Sequence, residues 1–172
     1  YMDVVALAQH GVEYAVATLG TSTPNAHAQK LLRLTDNVVY CFDGDAAGRK
    51  AAWRALENTL PVLADGKNAR FLFLPDGEDP DDYVRRRGRA AFEDAVARAT
   101  PLSDFLIAEL SARHPPTSDE GRAALVEPFA GDEYTQAKKD TMTAILSTAR
   151  TEQRLGVELS FGAVTVTEQV VA

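Results

Sequence analysis

The chain has 172 residues, 45% of them hydrophobic, a net charge of −7 and one cysteine, Cys41. That composition excludes collagen-like and disordered chains. It also excludes an internal disulfide, and no apolar run approaches the ~20 residues that a bilayer-spanning helix needs. No basic segment followed by an apolar stretch opens the chain, so no signal peptide is visible, and the single thiol suits a reducing cytoplasm. A chain beginning Tyr1-Met2-Asp3-Val4 reads as cut from something longer.

In chain order, residues 2–10 read as a helix with Val4, Val5, Leu7 and Ala8 on a broad apolar face, stopped at Gly11. The short apolar run Tyr14–Thr18 reads as a buried strand. Thr23-Pro24 marks a helix start, N-cap followed by proline at the first helical position, and that helix carries Ala28, Leu31, Leu32 and Leu34. Val38–Phe42 is a continuous run of strand formers, as expected of a strand covered on both faces. After Asp43-Gly44-Asp45 a long helix is expected over about 46–63, and Phe71–Leu74 is the next buried strand. Pro75-Asp76-Gly77 is a turn, a short helix follows over about 80–87, Gly88 ends it, and another helix covers about 89–99.

This alternation implies an α/β fold over residues 1–99, a mostly parallel sheet flanked by helices. From Pro101 the composition shifts to helical stretches near 102–113, 119–129 and 132–154, a helical segment of about 100–155. The Val- and Thr-rich end, 156–172, forms a strand pair or an unstructured tail.

In an open parallel sheet the binding crevice lies at the carboxyl ends of the strands. Asp43 and Asp45 leave one such end with i, i+2 spacing, which puts both carboxylates on one side of an extended backbone, with Gly44 allowing a sharp turn between them. Glu78-Asp79-Pro80-Asp81-Asp82 leaves the next strand at the same edge. Hard oxygen donors from two loops are what Mg²⁺ prefers. A helix-capping role stands open beside this for Asp45 and for Asp79-Pro80, with Asp81 and Asp82 favouring the helix start. Asp43 has no such explanation, and the two acidic clusters together point to metal.

Phe42-Asp43-Gly44-Asp45-Ala46-Ala47-Gly48 resembles the Asp-x-Asp signature of TOPRIM domains. Tyr1–Val4, Ala17–Thr21, Asp43–Trp53 and Leu74–Asp81 together resemble the bacterial replicative DNA primases, almost unbroken to about residue 110. The resemblance implies synthesis of short RNA primers on single-stranded DNA from ribonucleoside triphosphates, with Mg²⁺ or Mn²⁺ held by Asp43, Asp45, Asp3, Asp79 and Asp81. Asp43, Asp45 and Asp3 are the implied catalytic carboxylates, and two-metal logic has the ions activate the attacking hydroxyl and neutralise the leaving pyrophosphate. With those five acids set aside, residues 1–99 are slightly basic, which reconciles an acidic chain with a polyanionic substrate. The family's Glu-Gly before Tyr-Met-Asp is not in this chain, nor are its zinc-binding domain and the basic half of its polymerase region, so zinc is expected only there and the isolated chain is expected to be inactive. The implied setting is a cytoplasmic replication fork, with the replicative helicase met through the parent protein, no membrane, and a monomer. Another TOPRIM enzyme, a topoisomerase or nuclease, and a non-catalytic remnant that only binds a replication partner are the alternatives.

Among the basic residues, Arg49 and Lys50 follow the first acidic loop by one helical turn and are candidates for phosphate or template, against a plain solvated face that Lys30, Arg33 and Arg54 share. Arg85-Arg86-Arg87 is a denser run that could track a nucleic-acid backbone or only favour a helix C-terminus. Gly20 and Thr21 could admit a phosphate close to the backbone or only form a turn. His10, His27 and His114 lack ligand spacing, and Cys41, Tyr40 and Trp53 read as core.

Overall fold

The computed structural model describes residues 1–18, 25–113 and 170–171. Two compact units divide the chain, one of Tyr1–Leu102 with Val166–Ala172 and one of Ser103–Thr165. The first holds helices α1 (Met2–Gln9), α2 (Asn25–Leu34), α3 (Ala46–Thr59) and α4 (Pro80–Ala97), and strands β1 (Asn37–Phe42), β2 (Asn68–Phe73), β3 (Thr100–Pro101) and β4 (Val170–Val171). Helix α5 (Leu102–Arg113) opens the second.

The sheet runs β3-β2-β1-β4. β1 and β2 are parallel and in register, from Asn37 beside Asn68 to Phe42 beside Phe73. β4 pairs with β1 in parallel through Val38–Val170 and Val39–Val171, so the last valines extend the sheet, and β3 is an antiparallel edge on β2. The fold is thus the mixed, mostly parallel α/β sheet flanked by helices that the strand–helix alternation predicts.

Period two separates the faces of the central strands. Val38, Tyr40 and Phe42 share one face with Phe71 and Phe73; Tyr40 and Phe71 ring centroids lie 5.4 Å apart, and those of Phe42 and Phe73 6.2 Å apart. Val39, Leu72 and Leu74 point the other way, into a core built with Leu7 of α1, Val12, Ala15 and Tyr83, Val84, Phe92 and Val96 of α4. α1 ends in a hydrogen-bonded reversal, Val12 N–H donating to the Leu7 carbonyl and Gly11 N–H to that of Ala8, both at 2.9 Å, which delivers Val12 to that core.

Two local expectations differ from the structure and a third holds. The strand expected at 14–18 does not form, and Ala15 makes only a single β-bridge. Val12 and Ala15 are buried three residues apart while Val16 is 42% exposed, so the run has neither two-residue alternation nor burial on both faces. The long helix stops at Thr59, where Pro61 forces a 3-10 turn over Leu60–Val62. The break expected at Gly88 is present as a kink between two helical segments of α4; its φ of 80° and ψ of 169° are open essentially to glycine alone.

Gly20 and Thr21, the Thr23-Pro24 helix start, His114, the helical stretches near 119–129 and 132–154, and most of 156–172 lie outside the described residues. No helix among the described residues is long and apolar enough to cross a membrane.

Candidate metal centre on the carboxyl edge of the sheet

Because β1 and β2 run parallel in register, the loops that leave them share one edge. Leu74 N–H donates to the Phe42 carbonyl at 3.0 Å, carrying the ladder one step past both strands. Just beyond, Gly44 packs so tightly that a Cβ there would stand 2.2 Å from the Leu74 carbonyl oxygen and 3.1 Å from Asp76 N. Gly44 does not adopt positive φ, so its role is close approach and not the sharp turn expected of it. Gly48 is needed for a similar reason, since a Cβ on it would meet the Asp43 carbonyl oxygen at 2.1 Å.

The capping role left open for two aspartates is realised. Asp45 caps α3, one carboxylate oxygen accepting from Gly48 N–H at 2.7 Å, and Asp79 caps α4, accepting from Asp82 N–H at 2.7 Å. Capping and ligation are compatible: each cap engages one oxygen, fixes the carboxylate's orientation, and leaves the second oxygen for a cation.

Asp43, two residues before Asp45, caps neither helix. Its carboxyl is held above the ordinary value, first by partial desolvation and then by the negative charges of Asp45, Asp79 and Asp3. Asp3, on the first turn of α1, thus joins the other three electrostatically although it is forty residues away in sequence. Cys41, two residues before Asp43, is pushed up to about 12 by burial and by Asp43 and Asp3, which leaves it a thiol packed against the core.

Asp81 is engaged differently. It is ion-paired with Arg85 one turn along α4. The whole basic run folds back on the loop: Arg86 lies 3.7 Å from Glu78 and 4.0 Å from Asp82, and Arg87 lies 3.1 Å from Glu78 and over the Tyr83 ring at 4.8 Å. Arg49 lies over the Phe73 ring at 5.1 Å, while Lys50 is exposed beside it on α3.

Sequence reasoning passes over Glu78 as a site residue. Its side chain is 12% exposed, its Oε1 faces Arg87 and Arg86, and its Oε2 is buried without a hydrogen-bond partner. Glu78 stands in the second acidic cluster of the sequence, but an i, i+9 pair across a helix start follows no periodicity, so no sequence signal marks its pairing with Arg87.

The donor set is all carboxylate, the hard-oxygen chemistry that suits Mg²⁺ or Mn²⁺. Among the described residues no three His, Cys, Asp or Glu side chains stand close enough to enclose an ion. Mg²⁺ is ordinarily held through one or two carboxylates, with waters and phosphates filling its octahedron. Unrelieved repulsion around Asp43 is the electrostatic state that a divalent cation would relieve, so the residues fit such an ion.

A mostly parallel sheet with carboxylate-bearing loops on one edge is in keeping with a Toprim-like domain, and the family model described as Toprim-like matches residues 1–84. The chain belongs to the bacterial DNA primases. It is 58% identical over 125 residues to the DNA primase of Escherichia coli K12, a match covering 73% of this chain and 22% of that protein. It therefore spans about a fifth of the length of the curated relatives it matches. Among solved structures it resembles the DnaG catalytic core (TM-score 0.78, 46% identity, 92% of this chain and 51% of that one). It also resembles a DnaG primase catalytic domain bound to single-stranded DNA (TM-score 0.73, 47% identity, 86% and 49%).

Proposed function

We propose that this chain supplies the acidic, cation-binding edge of a primase catalytic core that joins ribonucleoside triphosphates into short RNA primers on single-stranded DNA. The observation that carries this reading is the convergence of charge on Asp43: three further carboxylates, from α1, from the start of α3 and from the start of α4, all raise its pKa. Likeness to a primase domain bound to single-stranded DNA supports the template class.

Asp43, with Asp45 or Asp79 as a second carboxylate, would hold Mg²⁺ or Mn²⁺ together with waters and phosphate, with Asp3 and Asp81 at the margin of the site. When bound, such an ion neutralises triphosphate charge and lowers the pKa of an attacking hydroxyl. The chain's own part is positional. The Gly44 clamp holds the two acidic loops together, and the caps at Asp45 and Asp79 orient their carboxylates before any ligand arrives. Zinc belongs to a separate domain, and the helicase is met through the parent protein, a monomer working at a cytoplasmic replication fork.

Since this chain corresponds to about half of the solved catalytic cores, it binds the cation without making primers by itself. Titration calorimetry with Mn²⁺ tests the site: wild type binds and Asp43→Asn does not. Equal heats from both proteins would refute the assignment, and primer synthesis by the purified chain would refute its dependence on the rest of the core.

A further inference from the structure

Three consecutive arginines, Arg85, Arg86 and Arg87, all face acids at the start of their own helix: Asp81 and Asp82 in its first turn and Glu78 just before it. The arginine side of each pair is open to solvent. The arginine side chains are 60%, 62% and 46% exposed. Carboxylates occupy guanidinium forks in the way that phosphate oxygens do, so these acids fill sites that a polyanion could fill. Exposed pairs of this kind are weak and readily exchanged.

The three pairs are not equivalent. Arg87 is anchored twice, by Glu78 at 3.1 Å and by the face of Tyr83, and Glu78 is nearly buried. Arg86 is within 4.0 Å of two carboxylates. Arg85 has Asp81 as its pair, and Asp81 belongs to the same short turn as Asp79, on the edge proposed to take the cation. A divalent ion there competes with a monovalent guanidinium for the same carboxylate.

We infer that Arg85, with Arg86 beside it, is a binding position for single-stranded nucleic-acid phosphate that the acidic first turn of its own helix occupies, and that cation loading of that turn releases it. The release half rests on the proposed metal site; the intramolecular occupancy does not. By linkage, cation and nucleic acid then strengthen each other's binding, beyond any direct bridge between them.

Fluorescence anisotropy of a labelled oligothymidylate with the full 172-residue chain tests this in low-salt, EDTA-containing buffer. Asp81→Asn is expected to bind about two- to fivefold more tightly than wild type, the range set by the strength of an exposed pair. Asp65→Asn, which changes net charge equally at the opposite edge of the sheet, controls for bulk electrostatics and is expected to gain less. Adding Arg85→Gln to Asp81→Asn is expected to abolish the gain. Equal affinity of Asp81→Asn and Asp65→Asn, or a gain that survives loss of Arg85, would overturn the inference. A labelled ATP analogue measured in parallel separates the two phosphate sources, and a gain for ATP alone would overturn the nucleic-acid assignment. If Asp81→Asn gains affinity but wild type fails to bind Mn²⁺ in calorimetry, the occupancy stands and the metal reading is what fails.

Discussion

Gly44 and Leu74 are in backbone contact across the carboxyl edge of the sheet, so close that the smallest side chain on Gly44 would overlap the Leu74 carbonyl oxygen. The obstacle is main chain, which cannot swing aside as a side chain would. Gly44→Ala must therefore part the loops after β1 and β2. A loss of about 1–3 kcal/mol is expected, typical of forced overpacking, together with weakened Mn²⁺ binding. Urea unfolding and calorimetry on the same variant check the two effects, and an alanine variant as stable as wild type would mean the loops are not clamped there.

Asp43 carries the opposite balance, since the charge useful for a cation burdens the empty fold. Its folded pKa is raised above the ordinary aspartate value of about 3.9. The folded state then binds more protons than the unfolded one between the two pKa values, so this group's contribution is fully present below the unfolded value and is lost as pH rises through the folded value. Asp43→Asn removes the titration. In metal-free buffer its stability relative to wild type is expected to increase as pH rises through that window and then level off, while Mn²⁺ binding is lost. Urea melts across the acid range would show a constant difference if the site were not electrostatically strained.

Much of this was legible beforehand because the signals are local. Val38–Phe42 and Phe71–Leu74 are continuous apolar runs, Gly88 stands alone between two helical patterns, and Asp43 cannot cap the helix that Asp45 caps. What was not legible depends on contacts across the fold. The run 14–18 has strand-like composition, yet burial at Val12 and Ala15 sets a spacing no strand shares. Gly44 looks like a turn residue in sequence and is a contact residue in space. The arginines at 85–87 look available for nucleic acid, and the structure turns them onto Glu78, Asp81 and Asp82.

Cys41 offers a test independent of metal. A thiol pushed up to about 12 is almost wholly protonated at pH 8, whereas a free cysteine near 8.5 is substantially thiolate. Labelling by a disulfide reagent at pH 8 is expected to be about a thousandfold slower in the folded chain than in urea. Labelling of comparable speed in both states would place the thiol in a different environment, exposed or beside a cation.

Tyr40 and Thr59 tie β1 to α3 through a buried pair at 2.8 Å, both residues 0% exposed. Thr59 donates its own hydroxyl proton to the Ala55 carbonyl at 2.7 Å, so the proton between the two side chains must come from Tyr40. This direction makes the two deletions unequal. In Tyr40→Phe, Thr59 keeps its partner at Ala55, and the cost is that of one net hydrogen bond, about 0.5–1.5 kcal/mol. In Thr59→Val, the Tyr40 hydroxyl stays buried with its acceptor gone, and an unsatisfied polar group costs about 1–3 kcal/mol. Thr59→Val is therefore expected to be the more destabilising in urea melts, although it removes the smaller side chain's hydroxyl and preserves its shape. The reverse order would mean that Thr59 donates to Tyr40, and that the Ala55 carbonyl is satisfied by the helix ladder alone.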